Sequence, residues 1–279
     1  MKDHLLDPSR RQLFAAAILP GLEKFLEPLA RKSNSYEEWF AAIAIDDALR
    51  CQLLLQRGFD PNTIEPERLD TALILSIRYQ AWKVFGLLLK HPDVLLDARS
   101  RNGDTALMIA AFNGDTKAAL ELIDKGAEIN RPGWTALHYA SAVGNVVLIR
   151  KLIENSAYID AESPNKTTPL MMAARAGHLS SVQFLIAEGA DITAKNELGL
   201  NAIDFAKSQN HVAIVNLLER TVKQAETKSD TTADTTADTT APPVTSTATT
   251  QPENSSNPPE EFYKEAAQPT AESESATQK

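Results

Sequence analysis

Between residues 35 and 220 the apolar and polar positions form a block pattern that returns on itself. Aligned on a Thr-(Ala/Pro)-Leu triplet, blocks begin at Thr71, Thr105, Thr135 and Thr168, and Asn201-Ala202-Ile203 keeps the same register. The steps are 34, 30, 33 and 33 residues. A degenerate first copy, YEEWFAAIAIDD, puts Trp39 at the Leu position, 34 residues before Leu73. Gly114, Gly144 and Gly177 each follow the aligned Leu by seven residues. Apolar pairs follow at 12 and 15 residues: Cys51/Leu54, Phe85/Leu88, Ala119/Leu122, Ile149/Leu152, Val182/Leu185 and Val215/Leu218. A second turn closes the blocks, as in GFDPN, GAEIN, SAYID and GADIT. A fixed period of this length marks a repeat architecture, one supersecondary motif per period.

Each block predicts a helix, a turn, a second helix and an extended loop. In the third Thr-started copy, Thr135 is placed to cap the first helix by accepting a backbone N–H. Leu137, Ala140 and Ser141 give that helix a short side at i, i+3 and i+4, and small residues let neighbouring helices approach. Gly144 supplies the tight turn between helices, where a positive φ is easily adopted. Leu148, Ile149 and Leu152 form the apolar side of the second helix. No block can bury these faces alone, so stacking must supply the missing wall. The end blocks are expected to present one polar face, through Glu37, Glu38, Asp46 and Asp47 at one end and Asn201, Lys207, Ser208 and Asn210 at the other.

The repeats resemble the ankyrin-repeat family over about residues 35–220. TTPLMMAARAGHLSSVQFLIAEGADIT follows the family pattern most fully, and TALHYA at residues 135–140 nearly as well. The resemblance implies an all-α ankyrin-repeat solenoid of about six helix-turn-helix units with hairpin-like loops. It also implies a non-catalytic protein–protein interaction module whose partner lies on a concave face of loop fingers and first helices. His138 stands at the family's TPLH histidine position, where it hydrogen-bonds across repeats, and His178 and His211 stand at the later Gly-His position. The order of features is similar to small single-domain ankyrin proteins of Gram-negative bacteria, several of them exported.

The positions that the period leaves free are the candidates for binding. On the first helices they are Arg78-Tyr79, Phe112-Asn113, Ala142-Val143, Arg175-Ala176 and Ser208-Gln209. The fingertips contribute Arg99, Arg101, Asp104, Arg131, Trp134, Glu162, Asn165, Lys195 and Glu197. Arg, Trp and Tyr are the types enriched at interface hot spots. The expected partner-binding set is therefore Arg78, Tyr79, Arg99, Arg101, Phe112, Asn113, Arg131, Trp134 and Arg175, facing an acidic or polar loop of a protein partner. One loop is short. From Asp160 to Thr168 the chain advances eight residues, but from Asn130 to Thr135 only five, and RPGW replaces a finger. Pro132 and Gly133 suit a tight bend better than a hairpin. The row of fingers should thus have a gap beside Trp134. Either the gap admits a partner element with Trp134 as its floor, or it is a tolerated deletion with Trp134 packed on the next finger.

Composition adds limits. The 279 residues are 43% apolar with a net charge of −9, enough for a sizeable core and without the basic excess expected of a nucleic-acid binder. From Thr221 onward there are ten Asp/Glu against four Lys/Arg, so −6 of the −9 lies there. That stretch, 221–279, includes DTTADTTADTTAPPVTSTATT and is expected to be a disordered acidic spacer; EEFYKEAA (260–267) is its one aromatic patch. The single cysteine, Cys51, excludes an intramolecular disulfide, and no Cys/His cluster has zinc spacing. No nucleophile, zincin, phosphate-loop or dinucleotide motif occurs, so neither an enzyme nor a cofactor or metal is expected. No apolar run is long enough to span a membrane. In residues 1–34, Arg10-Arg11 precedes an apolar stretch at 13–22 in the manner of a twin-arginine export signal. Leu19, Leu22, Phe25, Leu26 and Leu29 also fall at helical spacing and suit an amphipathic helix on the neighbouring domain. A periplasmic or otherwise exported monomer is the favoured expectation. A cytoplasmic adaptor, an inhibitor or a host-directed effector is the alternative, and an enzyme with a site assembled across repeats is a remote one.

Overall fold

The computed structural model describes residues 35–232, with side chains to Ala225. The N-terminal segment 1–34 and the stretch 233–279, with its repeated Thr-Ala unit and EEFYKEAA, lie outside the described residues. Among the described residues the regular structure is helical, apart from one isolated bridge between Ile64 and Thr71. The chain forms two compact units: one of residues up to Glu65 with Thr71–Val94, the other of Pro66–Asp70 with residues from Leu95 onward.

The first unit holds α1 (35–44), α2 (Ala48–Gln56), α3 (Ala72–Arg78) and α4 (Trp82–Leu88). Trp39, Ile43, Cys51, Leu54, Leu73, Ile77, Phe85 and Leu88 are its buried residues at the expected positions. Its charges differ from expectation. Asp46 does not face outward as part of a polar end. Its carboxylate accepts from the amides of Lys83 and Val84 at 2.9 and 3.0 Å and so starts α4. Asp47 accepts from the Arg50 amide and caps α2, and Glu38 pairs with Arg50 at 2.9 Å. The exposed side of α2 is mixed: Leu49, 68% accessible, and Leu53, 45% accessible, stand among exposed Arg50, Gln52 and Gln56, with Ile45 69% accessible just before the helix.

The second unit holds α5 (Ala106–Asn113), α6 (Thr116–Asp124), α7 (Ala136–Ala142), α8 (Val146–Glu154), α9 (Pro169–Ala176), α10 (Leu179–Ala187), α11 (Ala202–Ser208) and α12 (Val212–Thr232). First helices stack as α5, α7, α9, α11, and second helices as α6, α8, α10, α12. Leu107, Leu137 and Leu170 occupy matching interior places and are at most 1% exposed. The last copy keeps the register, with Ile214 at the place of buried Val84, Ala118, Leu148 and Ser181. Ile214 and Leu218 are buried, while Val215 is only half-buried. α12 also runs past residue 220, so the boundary expected there falls inside a helix.

Two repeated devices hold the layers together. At the end of each second turn an Asx side chain accepts an amide of the next layer: Asp97 from Glu128, Asn130 from Tyr158 and Asp160 from Asp191, at 2.8–3.0 Å. At the turn between helices, Gly144 and Gly177 adopt φ of +76° and +82°, and a Cβ on them would stand 2.5 and 2.6 Å from the rings of His178 and His211. Those rings reach past the glycines to the carbonyls of Ala142 and Arg175 at 3.0 and 3.1 Å. A side chain at either glycine would thus collide with the residue that ties the next layer on. Asn145 takes the histidine's place one layer earlier, donating to Thr116 Oγ1 at 2.7 Å.

Candidate partner-binding site

The free edge of the second unit is its row of loops and the adjoining first helices. A full finger is a closed turn: Ser100, Ser163 and Asn196 each donate their amide to the carbonyl four residues on, at 2.9–3.1 Å. Their side chains also accept an amide at the finger's return, those of Asp104, Thr167 and Leu200. Adjacent full fingers are joined backbone to backbone. Arg101 N–H donates to Arg68 C=O at 2.7 Å, and Glu197 N–H to Asn165 C=O at 3.1 Å. Arg101 adds a guanidinium bond to the Pro66 carbonyl at 3.1 Å.

The short loop 130–134 breaks this ladder. Among the described residues no bond of that kind reaches it from either side. Pro164 stands on the next finger where Arg101 and Glu197 donate, and proline has no N–H to give. Gly133, at φ +90°, turns the short loop so that an added Cβ would rest 3.7 Å from the Pro164 ring. Arg131 is turned inward. Its guanidinium donates to the Asp97 carbonyl at 3.0 Å and pairs with Glu128 at 3.3 Å, leaving the side chain 13% exposed. Arg131 is a brace for the loop.

His138 replaces the missing tie. It is fully buried. Nε2 lies 2.9 Å from the Thr167 carbonyl, at the base of the next finger. A carbonyl can only accept, so Nε2 carries the proton and Nδ1 accepts, from the Thr135 amide at 3.2 Å and the Thr135 hydroxyl at 2.9 Å. The closest partner of the Thr135 hydroxyl is thus this ring; Thr71, Thr105 and Thr168 make long bonds of 3.4–3.5 Å to helix amides. Burial pushes the imidazole pKa down to about 4, against the opposing pull of the Thr167 and Ala161 carbonyls. Neutral at ordinary pH and enclosed, His138 is a structural link. Cys51 is equally enclosed, and burial, helped by Asp47 and Asp46, pushes its thiol up to about 12. It is a packed group, not a nucleophile.

Trp134 lies over this link, edge-on to His138 at 5.2 Å between ring centroids and 6.4 Å from Tyr139. Its indole N–H is shielded and meets no hydrogen-bond acceptor. Tyr139 donates to Asp104 at 2.5 Å and faces Phe112 edge-on at 6.3 Å. Trp134, Tyr139 and Phe112 therefore form one aromatic strip along the first helices, beside the gap. Tyr139, 5% exposed, belongs to that strip although it was not among the expected residues; its hydroxyl was the available signal. Of the other expected residues, Arg99, Arg101 and Asn113 are exposed and Arg175 is half-buried. Arg78, half-buried, and Tyr79, exposed, end α3 in the first unit. Among the described residues no group of His, Cys, Asp and Glu could hold a metal ion, and no helix is long and apolar enough to cross a membrane.

Comparison with known proteins agrees with the repeat. The family model described as ankyrin repeats (3 copies) matches residues 39–132, 95–162, 130–196 and 148–229. The chain belongs to the ankyrin-repeat family. It is similar to neurogenic locus notch homolog protein 1 of Xenopus tropicalis, 38% identical over 116 residues, covering 40% of this chain and 5% of that protein. SH3 and multiple ankyrin repeat domains protein 2 of Homo sapiens is 28% identical over 169 residues, 59% of this chain and 9% of that protein. Protein glp-1 of Caenorhabditis elegans is 27% identical over 188 residues, 62% of this chain and 14% of that protein. The chain thus spans a small part of the length of each of these relatives. Ankyrin repeats are protein–protein interaction modules.

Proposed function

We propose that this chain is a non-catalytic binding module that holds one protein partner against the finger side of its second unit, centred on the gap beside Trp134. The observation that carries this reading is the half-buried Trp134 ring, set with Phe112 and Tyr139 in one aromatic strip beside an opening flanked by full fingers. A partner loop that enters there gains an aromatic floor. Arg99 and Arg101 on one flank favour a partner loop carrying acidic or polar side chains. Asp104 is engaged by Tyr139 and so does not oppose such a loop as an isolated charge.

The test is site-specific photocrosslinking from position 99 of the full chain in its source cells, with the captured protein identified by mass spectrometry. The same protein is then titrated against the unaltered chain and against a Trp134→Ala/Arg99→Ala chain of unchanged helicity. Loss of affinity of at least tenfold supports the reading, and equal affinity removes it. The twin-arginine-like start favours action outside the cytoplasm as an exported module. Intact-mass measurement of the mature chain decides this, since removal of residues 1 to about 34 is the outcome export requires. A start that is retained in cytoplasmic protein supports the adaptor or effector reading instead.

A further inference from the structure

One rule ties the full fingers of the second unit to each other. Counting back from the residue that opens each block, the amide four places before it donates to the carbonyl three places before the preceding opener. Arg101 serves Arg68 in this way, and Glu197 serves Asn165. The same count makes Asn102 C=O the acceptor on the finger that precedes the gap. Its donor should come from the block of Thr135, where Arg131 stands at the right place. The Arg131 amide makes no such bond; the loop is three residues short and its side chain is drawn in to Asp97 and Glu128. Among the described residues nothing donates to Asn102 C=O, and Asn102 is exposed. On the other flank Pro164 stands at the donor's place and has no N–H.

We infer that the partner enters the gap beside Trp134 as a substitute finger: an extended stretch of its backbone donates one N–H to Asn102 C=O and makes no main-chain bond to the opposite flank. The inference rests on the binding reading above and specifies how the partner is held. Strands pair about 4.8 Å apart, so a lost two-stranded finger leaves about 10 Å, the width of one or two extended chains. The bond has a direction. A carbonyl only accepts, so the partner must present a main-chain N–H there, and a proline at that point of the partner cannot serve. In recognition of this kind main-chain bonds hold the segment and alternate side chains select it. A stretch registered on Asn102 sends every second side chain to one face, where Trp134, Tyr139 and Phe112 form the aromatic strip. Arg99, exposed on the same finger, favours an acidic residue in the stretch.

The test has two arms, both on the full chain. In the first, residues 131–134 are replaced by a copy of the 98–104 finger, and amide hydrogen exchange is read with no partner present. The amide of the copied Arg101 should exchange about tenfold more slowly than that of Arg99, as a paired amide does. Equal exchange overturns the inference, because Asn102 C=O then does not serve a finger standing in the gap. In the second arm the 102–103 amide becomes an ester, with glycolic acid in place of Gly103, which weakens the Asn102 carbonyl as an acceptor. The same change at position 199 is the control. Gly103 and Gly199 both have positive φ and both donate to the carbonyl three residues back, at 3.0 and 2.9 Å, so the local loss is matched. The protein captured from position 99 should bind the ester-103 chain about fivefold more weakly, the worth of one hydrogen bond, and the ester-199 chain as tightly as the unaltered one. Equal affinity for the two esters overturns the inference; if Trp134→Ala/Arg99→Ala still weakens the complex, the binding reading stands without it. If neither the esters nor that double substitution changes affinity, or if nothing is captured from position 99, both fall. Self-association of the unaltered chain that the ester at 103 abolishes would put a second copy in the gap and also overturns the inference.

Discussion

The layer of α7 and α8 and the layer of α9 and α10 share one interior and differ at one edge. Leu137 matches Leu170, Ala140 matches Ala173, Ile149 matches Val182 and Leu152 matches Leu185, all buried. Gly144 matches Gly177 in the same left-handed turn. At the loop edge one layer has RPGW and the other a full Ser163–Thr167 finger. The third residue of the first helix differs as well, His138 against Met171. Met171 sulfur meets only the Thr168 amide, at 3.4 Å, whereas the His138 ring also reaches the next layer. Interior positions are held by contact on every side, so they repeat. The edge is held by few bonds, and where three residues of backbone are missing a side chain has taken over the link.

If the interiors are equivalent, Leu152→Ala and Leu185→Ala should each cost about 2–5 kcal/mol through the cavity they leave. Denaturant unfolding of the two variants checks this, and a large gap between them would break the equivalence. The next effect belongs to the short-loop layer alone. His138 stays neutral in the folded chain until the pH nears 4, while in the unfolded chain it titrates near its ordinary value of about 6.5. Between those values the unfolded state binds the extra proton. The histidine's stability term is therefore full above about 6.5, falls as the pH drops, and is lost at about 4, to an extent on the order of 3 kcal/mol. His138→Met, which copies the neighbouring layer, should flatten that window in urea melts from pH 7.5 to 4.5. Trp134→Ala should weaken the partner complex by about 2 kcal/mol, as at interface hot spots, with a much smaller shift in thermal midpoint. Gly144→Ala should cost about 1–2 kcal/mol for the left-handed backbone, plus the displaced His178 ring. In a His178→Ala background only the backbone part should remain.

The repeated interior was legible because packing allows few residue types and enforces their spacing. Trp39, Leu73 and Leu137 could be placed from the period alone. Roles that depend on a partner across layers were harder to read. Asp46 and Asp47 looked like an outward polar end because sequence gives their charge but not the amides of Lys83, Val84 and Arg50 that they meet. Arg131 looked free for the same reason, since its fate depends on Asp97 and Glu128 in the folded loop. Tyr139 was given no role, yet its hydroxyl holds Asp104 at the rim of the gap. The short loop itself was countable, but the compensating reach of His138 to Thr167 needed coordinates.

Pro164 has a consequence for solubility. An interrupted row of hairpins offers unpaired backbone, which is the usual template for stray strand addition and aggregation. On the flank nearest the opening, the residue that would present a donor is the one residue type that has none. A visiting chain cannot gain a main-chain bond from an amide at Pro164, so on that flank entry has to be won by side-chain fit, and indiscriminate β-pairing is discouraged at that point of the rim.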